Sequence, residues 1–338
     1  MRTIGWLKRV SLGVLALGIV ALVAGVAIEQ QARVRVRSME IPGKLVTIND
    51  GRRIQLDCRG SGSPTVVLES GLDVYGSLSW VAVHDSIAQF SRVCAYSRAG
   101  IMWSDQAQGP FSSENNARDL HEALASGGEV GPWVMVGHSI GAAYVTTFTQ
   151  LFDAEVEGLV FVDGSHPDQF AKFMEVTGKS LVPSSSEARI GAALAWTGLL
   201  RVLQIDLPPA SWPAATRQSN SFLPTSIGSL VSETERVPET LVRAGAMRSF
   251  GDRPLRVLSA TIGADQSQLQ AMGLTTEQGE RVHVVSMQLH DDEASWSRCG
   301  RHDVVQHASH YIQFDRPDAV IAAVHEVVDA VRSIRKTN

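Results

Sequence analysis

The sequence predicts an α/β protein in which a mostly parallel central sheet is flanked by helices and interrupted by a helical insertion. Three observations predict it. From about Lys44 onward short β-type runs alternate with helical stretches, the pattern of strands joined by crossover helices. Two of those runs, Trp133 to Val136 and Gly158 to Val162, are continuously apolar, as strands covered on both faces are. Between Gly164 and Arg253 the composition shifts to Pro, Ser, Trp and Ala in short amphipathic pieces, which reads as inserted helices rather than more sheet.

The elements follow in order. Val10 to Ile28 is an uninterrupted apolar run of 19 residues preceded by Arg2, Lys8 and Arg9, and as a helix it spans about 28 Å, one bilayer core. Residues 1–37 therefore read as an uncleaved membrane anchor or as a signal segment, with Gly25-Val26-Ala27 an acceptable cleavage site. The short basic tail favours the cytoplasm and leaves the body extracytoplasmic, whether anchored or, after cleavage, secreted or periplasmic. Because the sheet begins only near Lys44, the apolar run is expected to contribute nothing to the core of the body. Leu45 to Ile48 and Arg53 to Cys58, separated by Asn49-Asp50-Gly51, read as an opening hairpin. Strands are expected at Thr65 to Glu69, Arg92 to Tyr96, Trp133 to Val136, Gly158 to Val162, Leu255 to Ala260 and Val304 to Gln306. Helices are expected at Leu78 to Phe90, Ser113 to Ala125, Ile140 to Phe152 and Ala319 to Val331.

Composition narrows the partners. The 338 residues are 44% hydrophobic and 19% charged, enough to bury a sizeable core and too apolar for a disordered chain. With 30 Lys and Arg against 35 Asp and Glu there is no basic excess to neutralise phosphates, which argues against a nucleic-acid partner and for a small molecule. Cys58, Cys94 and Cys299 match no metal-ligand spacing; one disulfide is possible and at least one thiol stays free.

The chemistry is carried by Gly137-His138-Ser139-Ile140-Gly141, a G-x-S-x-G at the junction of an apolar strand and a helix. Both glycines must be minimal, because a side chain at either would collide with neighbouring backbone in so tight a turn. The turn lifts the Ser139 hydroxyl above the sheet and sets the following amide, that of Ile140, at the positive end of a helix, where it can stabilise an oxyanion.

At this point the chain resembles the α/β-hydrolase superfamily, esterase- and lipase-like serine hydrolases, over nearly everything from Leu45 to Val331. Val66 to Asp73 looks like the strand and oxyanion-loop segment, Arg92 to Gly100 with Trp103-Ser104-Asp105 like the next strand and loop, and Ser309 to Val324 like the catalytic-histidine segment. The chain departs from many relatives at Ser97, where they carry Asp, and at Ser70-Gly71, where His-Gly is common; the second departure leaves Leu72 as the oxyanion-loop amide. The resemblance implies an α/β-hydrolase core over 38–163 and 254–338, a helical lid over 164–253, and a Ser, acid, His triad in that chain order. Ser139 is its nucleophile. His310 is its base, chosen over His302 and His307 because it alone is followed by Tyr-Ile and then Asp315-Arg316-Pro317 at the start of the closing helix. Its acid is Asp163, which caps the Gly158 strand directly and is aimed at the carboxyl edge of the sheet; the alternative is Asp265, after the Leu255 strand, where most of the superfamily carries it. The expected reaction is hydrolysis of a small or moderately apolar carboxylic ester through an acyl-enzyme, with no metal or organic cofactor. Amide, lactone or carbon-carbon hydrolysis, or cofactor-free haloperoxidase chemistry, could run on the same triad. A membrane-tethered binding protein on a hydrolase scaffold is the non-enzymatic alternative.

Overall fold

The computed structural model describes residues 2–203 and 208–337. Strands β1 (Lys44–Thr47), β2 (Arg53–Arg59), β3 (Thr65–Glu69), β4 (Val93–Ser97), β5 (Trp133–His138), β6 (Val156–Val162), β7 (Leu255–Ala260) and β8 (Gly300–Val305) form one sheet. Their order is β1-β2-β4-β3-β5-β6-β7-β8, with β2 antiparallel to both its neighbours and all later pairs parallel. Helix α1 (Arg2–Arg37) precedes the sheet, and α2 (His84–Ile87), α3 (Ser113–Gly127) and α4 (Gly141–Leu151) connect its first strands. Between β6 and β7 the insertion contributes α5 (Gln169–Thr177), α6 (Ser186–Leu194), α7 (Leu199–Val202), α8 (Ser219–Glu235) and α9 (Val237–Ala244). After β7 come α10 (Gln266–Ala271) and α11 (Thr276–Ser295), and after β8 α12 (Ile312–Asp315) and α13 (Pro317–Thr337).

The period-2 alternation of the strands divides the core in two. Val67, Met135 and Phe161 face one way and meet Leu120 and Leu124 of α3 and Phe148 of α4. Val66, Leu68, Val134, Val136 and Val160 face the other and meet Val324, Val327 and Val328 of α13. With both faces covered, the parallel strands carry the continuous apolar runs seen in the sequence.

Three segments depart from expectation. Leu78 to Phe90 is not one helix but a 3₁₀ turn, Gly76–Trp80, followed by the single turn α2. Trp80, Val83 and Ile87 are all fully buried there, so contact with the sheet, and not the propensity of a stretch containing β-branched Val81 and Val83, sets its path. The last strand runs from Gly300 to Val305 rather than from Val304 to Gln306: at this sheet edge polar Arg301, His302 and Asp303 pair with β7, so no apolar run marks its start. Helix α11 had no counterpart in the sequence reading: of its 20 residues the buried ones are Leu289, His290, Glu293 and Ala294, too few and too polar to announce an apolar stripe.

Residues 11–24 of α1 are exposed along their length, and Ser11–Val36 is long and apolar enough to cross a membrane. The expectation that the apolar run leaves the body untouched fails only at its end, at Gly25, and burial continues in the turns beyond it. Gly25, Glu29 and Val36 are buried, Val36 among Tyr75, Leu78, Trp103 and Phe222.

Cys58 and Cys94 sit opposite each other on β2 and β4 and form a disulfide, leaving Cys299 exposed and free. The bridge closes a loop with a sequence separation of 36 residues. Replacing both cysteines by alanine is expected to lower the unfolding free energy by about 3–4 kcal/mol in detergent solution, read as a lower urea midpoint. A midpoint equal to that of the oxidised parent would contradict the pairing.

Candidate active site

The parallel register of β5 and β6, which pairs Gly137 with Phe161 and His138 with Val162, brings the residues that follow each strand side by side at the carboxyl edge of the sheet. Those residues are Ser139 and Asp163. Ser139 takes φ +55° in the left-handed region, where a non-glycine residue is strained. Three backbone hydrogen bonds hold it there: its amide donates to Val162 O, and its carbonyl accepts from Ala142 and Ser165. The flanking glycines are required by space. A Cβ on Gly137 would stand 2.5 Å from the carbonyl carbon and oxygen of Gly141, and one on Gly141 would stand 2.7 Å from Glu69 O.

Asp163 is also left-handed, φ +47°, a conformation its short polar side chain tolerates. Its amide donates to Leu258 O, Oδ1 accepts from Ala260 N at 2.9 Å, and Oδ2 lies 2.7 Å from His310 Nδ1. Burial pushes this carboxyl up, but the hydrogen bond and charge of His310, with smaller help from His290 and the Ala260 amide, outweigh it and hold the group at about 2. A carboxylate on Nδ1 fixes that nitrogen as the donor, so in the neutral tautomer of the His310 ring it is Nε2 that carries the lone pair. The ring is 47% exposed and open to a ligand. No hydrogen bond joins Ser139 Oγ to His310 among the described residues.

Asp265, the alternative acid, lies elsewhere. It is the N-cap of α10, its Oδ1 accepting from the Ser267 and Gln268 amides in a reciprocal capping box with Gln268. His302 sits on β8 between Asp291, 2.6 Å from Nδ1, and Ser259, 2.6 Å from Nε2. His307 is an exposed loop residue. His138 is fully buried, and its Nε2 donates to the carbonyl of His310 at 2.9 Å, so the residue before the serine positions the histidine loop. Burial, with the adjacent His310 ring, lowers its pKa to about 3 and keeps it neutral.

Leu72 and Ile140 flank Ser139 from the β3 loop and from the N-cap of α4. Among the described residues neither amide has a hydrogen-bond acceptor. The loop carrying Leu72 is clamped by Arg98, a residue that sequence reasoning did not single out. Arg98 is 2% exposed and donates to Glu69 Oε1 (2.8 Å), Ser70 O (2.9 Å), Gly71 O (2.7 Å) and both oxygens of Glu233 on α8 (2.8 and 3.1 Å). In the same loop, Asp73 accepts from the Tyr75 amide and Ser79 Oγ, and burial pushes its carboxyl up to about 6 against the pull of Arg98. The signal available in the sequence was a lone Arg in a Ser-Arg-Ala-Gly turn, with no sign of a partner 135 residues away.

Among the described residues the one group of metal-type ligands, Cys58, Cys94 and Glu129, has its two sulfurs bonded to each other.

A model of the alpha/beta hydrolase family matches residues 56–323. Similar solved structures include a thermophilic esterase from Thermogutta terrifontis, 16% identical with TM-score 0.61 over 85% of this chain and 98% of that one. The epoxide hydrolase CorEH is 18% identical, with TM-score 0.58 over 85% of this chain and 98% of its own. At such identities the likeness is one of fold. An uncharacterized protein of Schizosaccharomyces pombe is 32% identical over 154 residues, 37% of this chain and 29% of that protein, so the chain spans less than a third of that curated relative.

The Asp73 shift has a measurable consequence. A carboxyl that binds its proton more tightly in the folded chain than in the unfolded one makes stability fall as pH rises from about 4 to about 6. Asp73→Asn removes the titrating group, so the variant should gain up to about 3 kcal/mol on the parent across this window, read from urea midpoints at pH 4, 5, 6 and 7. Parallel pH dependences would contradict the buried carboxyl.

Proposed function

This chain belongs to the alpha/beta hydrolase family, and from that premise we propose that it is a membrane-anchored serine hydrolase of carboxylic esters, with Ser139 as nucleophile, His310 as base and Asp163 as acid. The observation that carries the reading is the Asp163 to His310 hydrogen bond at the same sheet edge as the strained Ser139 turn. In the reaction, His310 Nε2 takes the proton of Ser139 Oγ as that oxygen attacks the ester carbonyl. The amides of Leu72 and Ile140 receive the charge on the carbonyl oxygen, His310 protonates the leaving alcohol, and the same ring then activates water against the acyl-enzyme. Asp163 holds the ring in the required tautomer and stabilises its charged form.

A serine at the nucleophile position argues against epoxide opening, which needs a carboxylate there. The insertion between β6 and β7 serves as the lid. Helix α1 anchors the protein with the body outside the cytoplasm, which agrees with a disulfide, a bond at home in oxidising compartments.

Ser139→Ala is expected to lower the rate on p-nitrophenyl esters by about 10⁴-fold or more with the thermal midpoint unchanged, and to abolish labelling by a fluorophosphonate. A rate within tenfold of the parent would refute the assignment, and failure of the parent to label would favour the non-catalytic scaffold. Asp163→Asn should lose about 10⁴-fold. Asp265→Asn should keep its rate within tenfold and lose about 1 kcal/mol of stability or less with its cap. A dead Asp265→Asn with an unchanged midpoint would move the acid to that position.

A further inference from the structure

Helix α1 docks on the insertion by two contacts that together set a depth. Gly25 lies so close to the 3₁₀ turn Ala195–Thr197 that a Cβ on it would stand 2.3 Å from Thr197 O, and a Cβ on Gly198 would stand 2.2 Å from Gly25 O. One turn further along, Glu29 is fully buried between Arg33 (2.7 Å) and Arg201 of α7 (2.6 Å), and Arg201 also donates to Ser221 O on α8. The apolar run of α1 ends at Ile28, so Gly25 lies about 4.5 Å on the bilayer side of that end. Whatever touches Gly25 shares its depth. The surface around Gly198 suits that place: Trp196, Val202 and Leu203, on or beside two elements that meet the helix, and Ile190 on the adjoining α6 are 54%, 62%, 60% and 64% exposed. A tryptophan belongs at the boundary of hydrocarbon and headgroups, and Arg201 turns its charge to Glu29 at the level where the apolar run stops.

The far end of α1 reaches the reaction edge. Val36 is buried with Tyr75, Trp103 and Phe222, and Tyr311, the residue after His310, packs on the same cluster. We propose that the face formed by α6, the Ala195–Thr197 turn and α7 lies in the leaflet on the body's side of the membrane that α1 crosses, and that the substrate is an ester dissolved in that leaflet by a long acyl chain. The substrate part rests on the serine-hydrolase reading. The membrane seat rests instead on the reading of α1 as an anchor.

The test uses the full-length protein in phosphatidylcholine vesicles. A nitroxide at Val202→Cys, in a Cys299→Ser background, should be more accessible to oxygen than to a water-soluble nickel chelate, whereas one at Val130→Cys, in the exposed loop before β5, should read as aqueous. An aqueous reading at position 202 overturns the proposal and leaves the face to some other occupant. In parallel, Val202→Glu with Leu203→Glu should lower hydrolysis of vesicle-borne p-nitrophenyl palmitate at least tenfold while p-nitrophenyl acetate hydrolysis in detergent stays within twofold. Equal effects on the two esters overturn delivery from the leaflet. A parent that cleaves neither ester and takes no fluorophosphonate, with the label at position 202 in the bilayer, refutes the hydrolase reading and supports the membrane seat.

Discussion

A guanidinium taken out of water must find every one of its partners inside the protein, and Arg98 finds them on four separate elements. It binds Glu69 at the end of β3, the Ser70 and Gly71 carbonyls of the loop beyond, Glu233 on α8, and lies over the Tyr144 ring of α4 at 5.1 Å. Burial raises the carboxyls of both glutamates, and the charge of Arg98 works against that rise. Glu69 has further donors in Tyr96 and Asn116. Removing one member of such a buried set leaves the others uncompensated, at about 3–5 kcal/mol. Helix α4, the Leu72 loop and the insertion are therefore tied to one side chain, and the carbonyls just before the Leu72 amide are held by it.

The strain of the Ser139 turn is carried by the same kind of over-determination. Its amide and carbonyl are tied to β6 and to the segment after it, the amide of Asp163 is tied to β7, and His138 holds the carbonyl of His310. A further chain reaches this edge from beneath, in which Ser259 joins His290 and His302, and His290 meets the carbonyl of Gly164, next to Asp163, at 2.9 Å. Ser139, Asp163 and His310 are thus each fixed by neighbouring groups.

Helix α1 changes character along its length. Residues 11–24 are exposed, while the next turns bury Gly25, Glu29 and Val36 against protein. A buried carboxylate at the end of an apolar run is tolerable only because Arg33 and Arg201 meet it.

Contiguous residues by themselves determined the features that depend on local sterics and period: the parallel strands, the elbow at Ser139 with its two obligatory glycines, the opening hairpin and the apolar N-terminal run. The family resemblance carried the reading of His310, by the residues that follow it. Tertiary structure decided the rest. Asp163 and Asp265 both follow a strand in the sequence; the β5–β6 register turns one to His310, while the other satisfies the first amides of α10. The path of residues 78–90 and the existence of α11 were hidden because packing against the sheet, not propensity or amphipathic period, holds them. The partnerships of Arg98 with Glu233 and of Glu29 with Arg201 left no trace in the sequence. Two charges 135 or 172 residues apart meet only because the fold removes both from water, and no local pattern encodes that.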